Sequence, residues 1–297
     1  MKKTEEIRIR DPFVLHHGDY YYLYGTIGEP KARELYVHRS NDLLNWEEPT
    51  VIYEMPENSW AEGQLWAPEV HYYRGRFYLF HSMLGKDGLR GTEISVSDTP
   101  EGPFIPISDR PATPAGKSCI DGTLYVEDGR PYIVYSHDWP DCYSEDMGAY
   151  VGEFGAVELS EDLTHAVGEP FLLFRSCDAP LSGEHPTPLR YQGKDSFRYG
   201  SDAPFLYRLR DGRLCFLWSP IPEGNYVVLA AVGNSIRGTW EHLDTPVFSD
   251  NGGHPMIFTD KDGRLRMALH HPEIYWHEHP RFLVLEERDG RLVHTEG

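Results

Sequence analysis

One pattern recurs five times along this chain, and it constrains the fold more than any other feature. An anchor residue is followed by Pro or Gly or by an apolar strand, then a turn, then a second strand of aromatic and apolar residues. The copies are DPFVLHHGDYYYLYG from Asp11, APEVHYYRGRFYLFHS from Ala67, DGTLYVEDGRPYIVYSH from Asp121, DAPFLYRLRDGRLCFLWS from Asp202 and HPMIFTDKDGRLRMALHH from His254. Four of the second strands open on Gly-Arg, at Gly75, Gly129, Gly212 and Gly263. Each of these glycines stands where a hairpin turn needs a positive φ.

A further β segment follows the hairpins. ELYVHRSNDLLNWEEP, TEISVSDTPEGPF and VLAAVGNSIRGTWEHL each read as an apolar strand, a polar turn, and a Trp or Phe closing on a short outer strand. The unit is therefore about four strands, repeated at intervals of roughly 50 to 80 residues. Together with 28 Gly and 23 Pro, this predicts an all-β chain. The expected architecture is a five-bladed β-propeller with four-stranded blades, forming a single domain over residues 1–297. The stretch 176–200 interrupts the longest interval and reads as a loop on the working face.

Composition excludes several function classes. The formal net charge of −19 repels phosphate backbones and anionic membrane surfaces, so neither nucleic acid nor membrane is an expected partner. A neutral sugar is indifferent to that charge. No apolar run approaches the length of a membrane span. The start, MKKTEEIRIRDP, lacks the apolar region of a signal peptide. It reads as cytoplasmic, or as a secreted chain already processed. Cys119, Cys142, Cys177 and Cys215 show no zinc-type spacing and read as free thiols. Oligomeric state is not legible.

In a propeller the innermost strands line one channel, so equivalent positions face one another. The strand starts carry Asp11, the Ala67-Pro68-Glu69 step with Pro68 as its anchor, Asp121, Asp202 and His254. Three carboxylates and an imidazole are then expected at one mouth. Crowded carboxylates push their pKa values apart, which leaves one ionised and another protonated. A base and an acid across a pocket are what glycosidic bond hydrolysis requires.

These residues resemble glycoside hydrolase family 43, five-bladed propellers that cleave arabinofuranosides and xylosides. The resemblance rests on R-D-P-F at Arg10–Phe13, L-W-A-P-E-V at Leu65–Val70, I-D-G-T-L-Y at Ile120–Tyr125, D-A-P-F-L-Y-R at Asp202–Arg208 and G-G-H-P-M-I-F at Gly252–Phe258. It implies that Asp11 is the general base, that Asp121 tunes and orients the acid, and that Asp202 is the general acid. The family's acid is a Glu, so the Asp here is one methylene short. Glu184, in LSGEHPTP, is the alternative acid. The insert 176–200 is expected to form part of the pocket wall, with Arg190, Arg198 or Tyr199 near the substrate.

Sugars present apolar C–H faces, so aromatic platforms are expected beside the carboxylates. The expected substrate-binding set is Phe13, Trp66, His137, Trp139, Trp218 and His254. The resemblance implies that His254 faces a structural calcium ion or a water cluster at the channel axis; no cofactor is otherwise required. The cluster of His270, His271, His277 and His279 reads as a wet loop or as a metal site. The functional expectation is an inverting, exo-acting glycosidase on arabinofuranosyl or xylosyl linkages in small plant-derived oligosaccharides. The alternatives are a carbohydrate-binding propeller with an altered acid, an interaction scaffold, and a phosphorylase using Arg10, Arg190 and Arg198.

Overall fold

The computed structural model describes residues 1–28 and 32–295. Each recurring hairpin is the inner half of one antiparallel sheet. The inner strands are Arg10–His17, Ala61–Tyr73, Cys119–Glu127, Asp202–Arg208 and Gly253–Thr259. Each forms one edge of its sheet, and the chain steps outward from it strand by strand. The third sheet, for example, runs Cys119–Glu127, Arg130–His137, Glu153–Glu158, Phe171–Arg175. The first sheet is larger, because Lys2–Lys3 adds outside Asn45–Trp46 and Thr50–Glu54 also pairs with Glu34–Ser40. Among the described residues no helix is long and apolar enough to cross a membrane.

The sheets bury their apolar faces against one another in sequence order. Phe80 and Ile94 of the second sheet pack with Ile133 and Val157 of the third. Phe154 and Phe174 of the third meet Phe216 and Trp218 of the fourth. Leu217 and Val232 of the fourth meet Ile257 and Met267 of the fifth. Met256, Phe258 and Ala268 of the fifth then join Val14, Tyr21 and Trp46 of the first, so the packing runs from the last sheet back to the first. Two expected sugar-binding residues are spent in this packing. Trp218 is fully buried in a strand buried on both faces, and Phe13 packs edge-on against His71 in the core.

All five inner strands carry a bulge at the same place. Register with the second strand jumps after Arg10, Trp66, Ile120, Asp202 and Gly253. The next residue is left-handed in every case: Asp11 (φ 52°), Ala67 (44°), Asp121 (53°), Ala203 (58°) and His254 (60°). This corrects the anchor alignment. The residue equivalent to Asp11 is Ala67 in the second sheet, not Pro68, and Ala203 in the fourth, not Asp202.

A left-handed non-Gly residue costs on the order of 1–3 kcal/mol and persists only where its surroundings impose it. Here the neighbouring sheet does so. The Asp11 N–H donates to His270 Nδ1 (3.1 Å), Ala67 N–H to Thr26 Oγ1 (2.7 Å), Asp121 N–H to Ser82 Oγ (2.8 Å) and His254 N–H to Ser219 Oγ (3.0 Å). Each acceptor sits on the second strand of the preceding sheet, and His270 of the fifth serves the first. The fourth sheet departs. Ser136, the equivalent acceptor, faces Ser201 instead, and the Ala203 N–H donates to Asp121 Oδ2 (3.0 Å).

Ser82→Ala leaves the buried Asp121 N–H without its acceptor. It is expected to cost about 1–3 kcal/mol, seen as a lower denaturant midpoint at unchanged m-value. A midpoint equal to wild type would show that the latch carries no weight.

The insert 176–200 is not a loop. It holds a short helix, Pro180–Glu184, and a hairpin, Thr187–Tyr191 with Lys194–Tyr199. Its turn residues Gln192 and Gly193 both have positive φ (49° and 78°), the geometry that matches strand twist in two-residue hairpins. The hairpin pairs in parallel with Ala149–Val151, which also carries Tyr143–Ser144, to make a sixth small sheet.

Candidate active site

The bulges aim side chains into one cavity of about 410 Å³. It is lined by Arg10, Asp11, Thr26, Gly28, Gln64, Trp66, Ile120, Asp121, Asp202, Tyr226, His254 and Tyr275. All three expected catalytic carboxylates are therefore in one place. Left-handed Asp11 and Asp121 come from the bulge itself, and Asp202 from the position before it.

Asp11 is held on every side. Its Oδ2 accepts from Thr26 Oγ1 at 2.6 Å, and its Oδ1 lies 3.1 Å from His254 Nδ1. Thr26 thus bridges the Asp11 carboxylate and the Ala67 N–H. Burial alone would favour the protonated acid, but the charge and hydrogen bond of His254, then Arg10, outweigh it. They hold Asp11 well below the usual carboxylate range. His254 answers in kind: burial opposes its charge, yet Asp11, Asp121 and Glu69 push the imidazole up to about 9.

A second layer fixes this pair. His270 accepts the Asp11 N–H at Nδ1, so its proton sits on Nε2, which donates to Glu273 Oε2 at 2.6 Å. Glu273 and Glu278 both grip the Arg10 guanidinium, at 3.0 and 2.7 Å.

Asp202 lives in the opposite environment. Among the described residues its one side-chain hydrogen-bond donor is the Tyr226 hydroxyl at 3.5 Å. Burial, then the charges of Asp121 and Asp138, raise its pKa well above the ordinary value. Asp121 is raised too, by burial and by Asp11. Asp121 nevertheless has the Ala203 N–H and the His254 charge on its side. Of the two, Asp202 keeps the proton. The cavity therefore presents an ionised carboxylate at Asp11 and a protonated carboxyl at Asp202.

Trp66 is the one expected aromatic platform found on the cavity wall. Arg90 stacks on its ring, 3.3 Å from the centroid, and also bonds Gln64. Trp139 packs edge-on against Tyr150 and Tyr191 of the small sheet, and His137 lies between Asp141 and Glu153; neither lines the cavity. Glu184 is exposed at the end of its helix and is no second acid here. Arg190 is exposed and paired with Asp195. Arg198 lies over Trp139, and Tyr199 gives its carbonyl to Gly152 and Ser176. The expected pocket wall from 176–200 is thus not found among the lining residues.

The histidine cluster disperses: His270 serves Asp11, His271 faces Asp250, and His279 bonds the Ile7 carbonyl. Calcium takes six to eight oxygen ligands. His254 offers one imidazole whose Nδ1 is engaged by Asp11, which does not make a calcium donor set, and no step below runs through a metal. Sequence reasoning missed Thr26, Gln64, Tyr226 and Tyr275, which stand outside the repeated anchors. Only the Tyr-Gly-Thr ending of the second strand signalled one of them.

A carboxyl held ionised and another held protonated across a shared cavity fit the base and acid that glycosidic bond hydrolysis uses. The family model for glycosyl hydrolases family 43 matches residues 5–288, and the chain belongs to that family. An endo-arabinase from Bacteroides thetaiotaomicron VPI-5482 has a similar structure, with a TM-score of 0.85 and 34% identity over 97% of this chain and 98% of that one. A thermostable family-43 glycoside hydrolase shares the fold at a TM-score of 0.80 and 24% identity, covering 97% and 93% of the two chains. The extracellular exo-α-(1→5)-L-arabinofuranosidase of Cellvibrio japonicus is 28% identical over 95% of this chain and 79% of its own. Xylosidase/arabinosidase 43A of Humicola insolens is 31% identical over 40% of this chain and 37% of its own. The chain spans between 37% and 54% of the length of three such curated relatives.

Proposed function

We propose that this protein is an inverting glycosidase that removes arabinofuranosyl or xylosyl units from small plant-derived oligosaccharides. Its five repeated sheets are the blades of a five-bladed β-propeller, one domain over 1–297. Asp11 is the general base that takes a proton from the attacking water. Asp202 is the general acid that protonates the departing glycosidic oxygen, and Asp121 orients and tunes it. The observation that carries this reading is the contrast in one cavity between Asp11, bonded by Thr26 and paired with His254, and Asp202, whose contact is the Tyr226 hydroxyl at 3.5 Å. Microscopically, water adds to the anomeric carbon as the glycosidic bond breaks; its proton goes to Asp11 while the Asp202 proton goes to the leaving oxygen.

Arabinose and xylose are named together in the relatives, which supports a pentose. The cavity is at the small end for ligand sites, which favours cleavage of terminal units. The test is a panel of nitrophenyl arabinofuranoside, xyloside and galactoside, followed by product anomer analysis. Turnover of a pentoside with inverted product supports the reading. Tight sugar binding without turnover on any substrate would make the chain a binding propeller with an altered acid. A phosphorylase would need a phosphate site, and Arg10 is committed to two glutamates while Arg190 is exposed and paired elsewhere.

The charge states set a pH profile. Activity needs Asp11 ionised; its pKa is depressed, so activity is lost only as pH falls through that low value. Activity also needs Asp202 protonated; its pKa is raised, so activity holds below that value and is lost as pH rises through it. Asp121→Asn removes a charge that raises Asp202, so the alkaline limb of kcat/KM is expected to move to lower pH. An unmoved limb would assign that limb to another group.

A further inference from the structure

We propose that the third sheet carries a zinc site built from His137, Cys142 and Glu153, none of which lines the catalytic cavity. One ligand atom from each of the three lies within 4.8 Å of the others. His137 ends the second strand of the third sheet, and Glu153 opens the third strand directly opposite it, since the two are register partners. Cys142 follows the turn Trp139–Asp141 and precedes Tyr143–Ser144 of the small sheet. Nitrogen, thiolate and carboxylate oxygen together are a donor set for zinc rather than for calcium or magnesium.

The contacts around these residues favour a cation. His137 Nδ1 lies 3.4 Å from Glu153 Oε2, and its Nε2 lies 3.1 Å from Asp141 Oδ2. A neutral imidazole has one N–H for these two carboxylates, so one contact sets lone pair against lone pair. A metal on the Nδ1 side resolves the conflict. Nε2–H then donates to Asp141, the carboxylate–histidine–metal arrangement that fixes ring orientation in zinc sites. Glu153 is already divided for such a role. Its Oε1 takes Arg175 Nε at 3.2 Å, which leaves Oε2 for the ion.

Space and distance are also suitable. A cavity of about 80 Å³ adjoins His137 and Glu153, bounded by Lys117, Tyr135, Gly155, Pro170, Phe171 and Leu172. It leaves room for a water in the fourth position. Zinc bonds of about 2.0–2.3 Å place tetrahedral ligands roughly 3.3–3.8 Å apart, so the 3.4 Å contact needs no movement and the thiol a shift of about an ångström. The Cys142 thiol now donates to the His137 carbonyl (3.6 Å); binding exchanges its proton for the ion. The site would staple the foot of the small sheet to the third sheet.

The test uses the full chain, loaded with zinc chloride, dialysed against a weak chelator and assayed for metal. One zinc per chain is expected in wild type and in Cys177→Ser, and none in Cys142→Ser or Glu153→Gln. Cobalt chloride in place of zinc is expected to give tetrahedral visible bands and a near-ultraviolet thiolate band, the latter lost in Cys142→Ser. Thermal midpoints of the metal-free variants check that they fold, and only wild type and Cys177→Ser are expected to gain midpoint with added zinc. Wild type that retains no more zinc than Cys142→Ser, or a cobalt spectrum without a thiolate band, overturns the site. Neither outcome bears on glycosidase activity.

Discussion

Asp11→Asn is expected to lower kcat by about 10²- to 10⁴-fold on every pentoside substrate, good and poor leaving groups alike. The loss is expected to be uniform because the base acts on the attacking water, whatever group departs. Asn keeps the size of the side chain and can still accept from Thr26, so the pocket is preserved while the charge is lost. His254 loses the group that chiefly raises its pKa, and it should titrate nearer its ordinary value. Hydrolysis of nitrophenyl and natural substrates, with thermal unfolding as a control, checks this. A mutant that folds and keeps more than a tenth of wild-type turnover would falsify the role of Asp11.

The Asp202→Asn variant is expected to separate substrates by leaving group. Nitrophenolate departs without a proton, so nitrophenyl pentosides should lose little. Oligosaccharides leave as alkoxides and should lose about 10²- to 10⁴-fold. The alkaline limb of the pH profile should vanish from what activity remains. Equal losses on both substrate types would remove Asp202 as the acid. Asp202→Glu is the companion experiment. Asp202 is positioned by the left-handed Ala203 that follows it and by Tyr226. The longer side chain is expected to overreach and lower turnover, since misplacement by about an ångström can cost on the order of 100-fold. A strong gain in turnover would instead mark the native Asp as a weakened acid.

The hairpins were legible because two signals coincide, alternating apolar residues and Gly at the turns. The bulges were not. Their left-handed positions hold Asp, Ala, Asp, Ala and His, none of which announces a positive φ. What imposes the conformation is an acceptor on the neighbouring sheet, far away in sequence. Reading anchors by residue type therefore slipped by one in the second and fourth repeats. It still found Asp202, because its carboxyl reaches the cavity from the preceding position. Trp218 and Phe13 were misread for a related reason: a strand buried on both faces offers no polar alternation to say which side meets the pocket. In the insert, Gln192-Gly193 was a usable turn signal, passed over in a stretch dense with polar residues.

The hydrogen bond from the Asp11 N–H to His270 joins the proposed base to the fifth sheet. His254 reaches the same cavity from that sheet and Tyr275 from the link between its second and third strands, where Glu273 pairs with Arg10. The nucleating end of the reaction is thus assembled by two segments some 250 residues apart in the chain. A ribosome-bound or truncated polypeptide lacking the final sheet carries Asp11 without its counter-charge and without the support for its backbone. On the proposed roles, hydrolysis is expected only once the first and fifth sheets have docked.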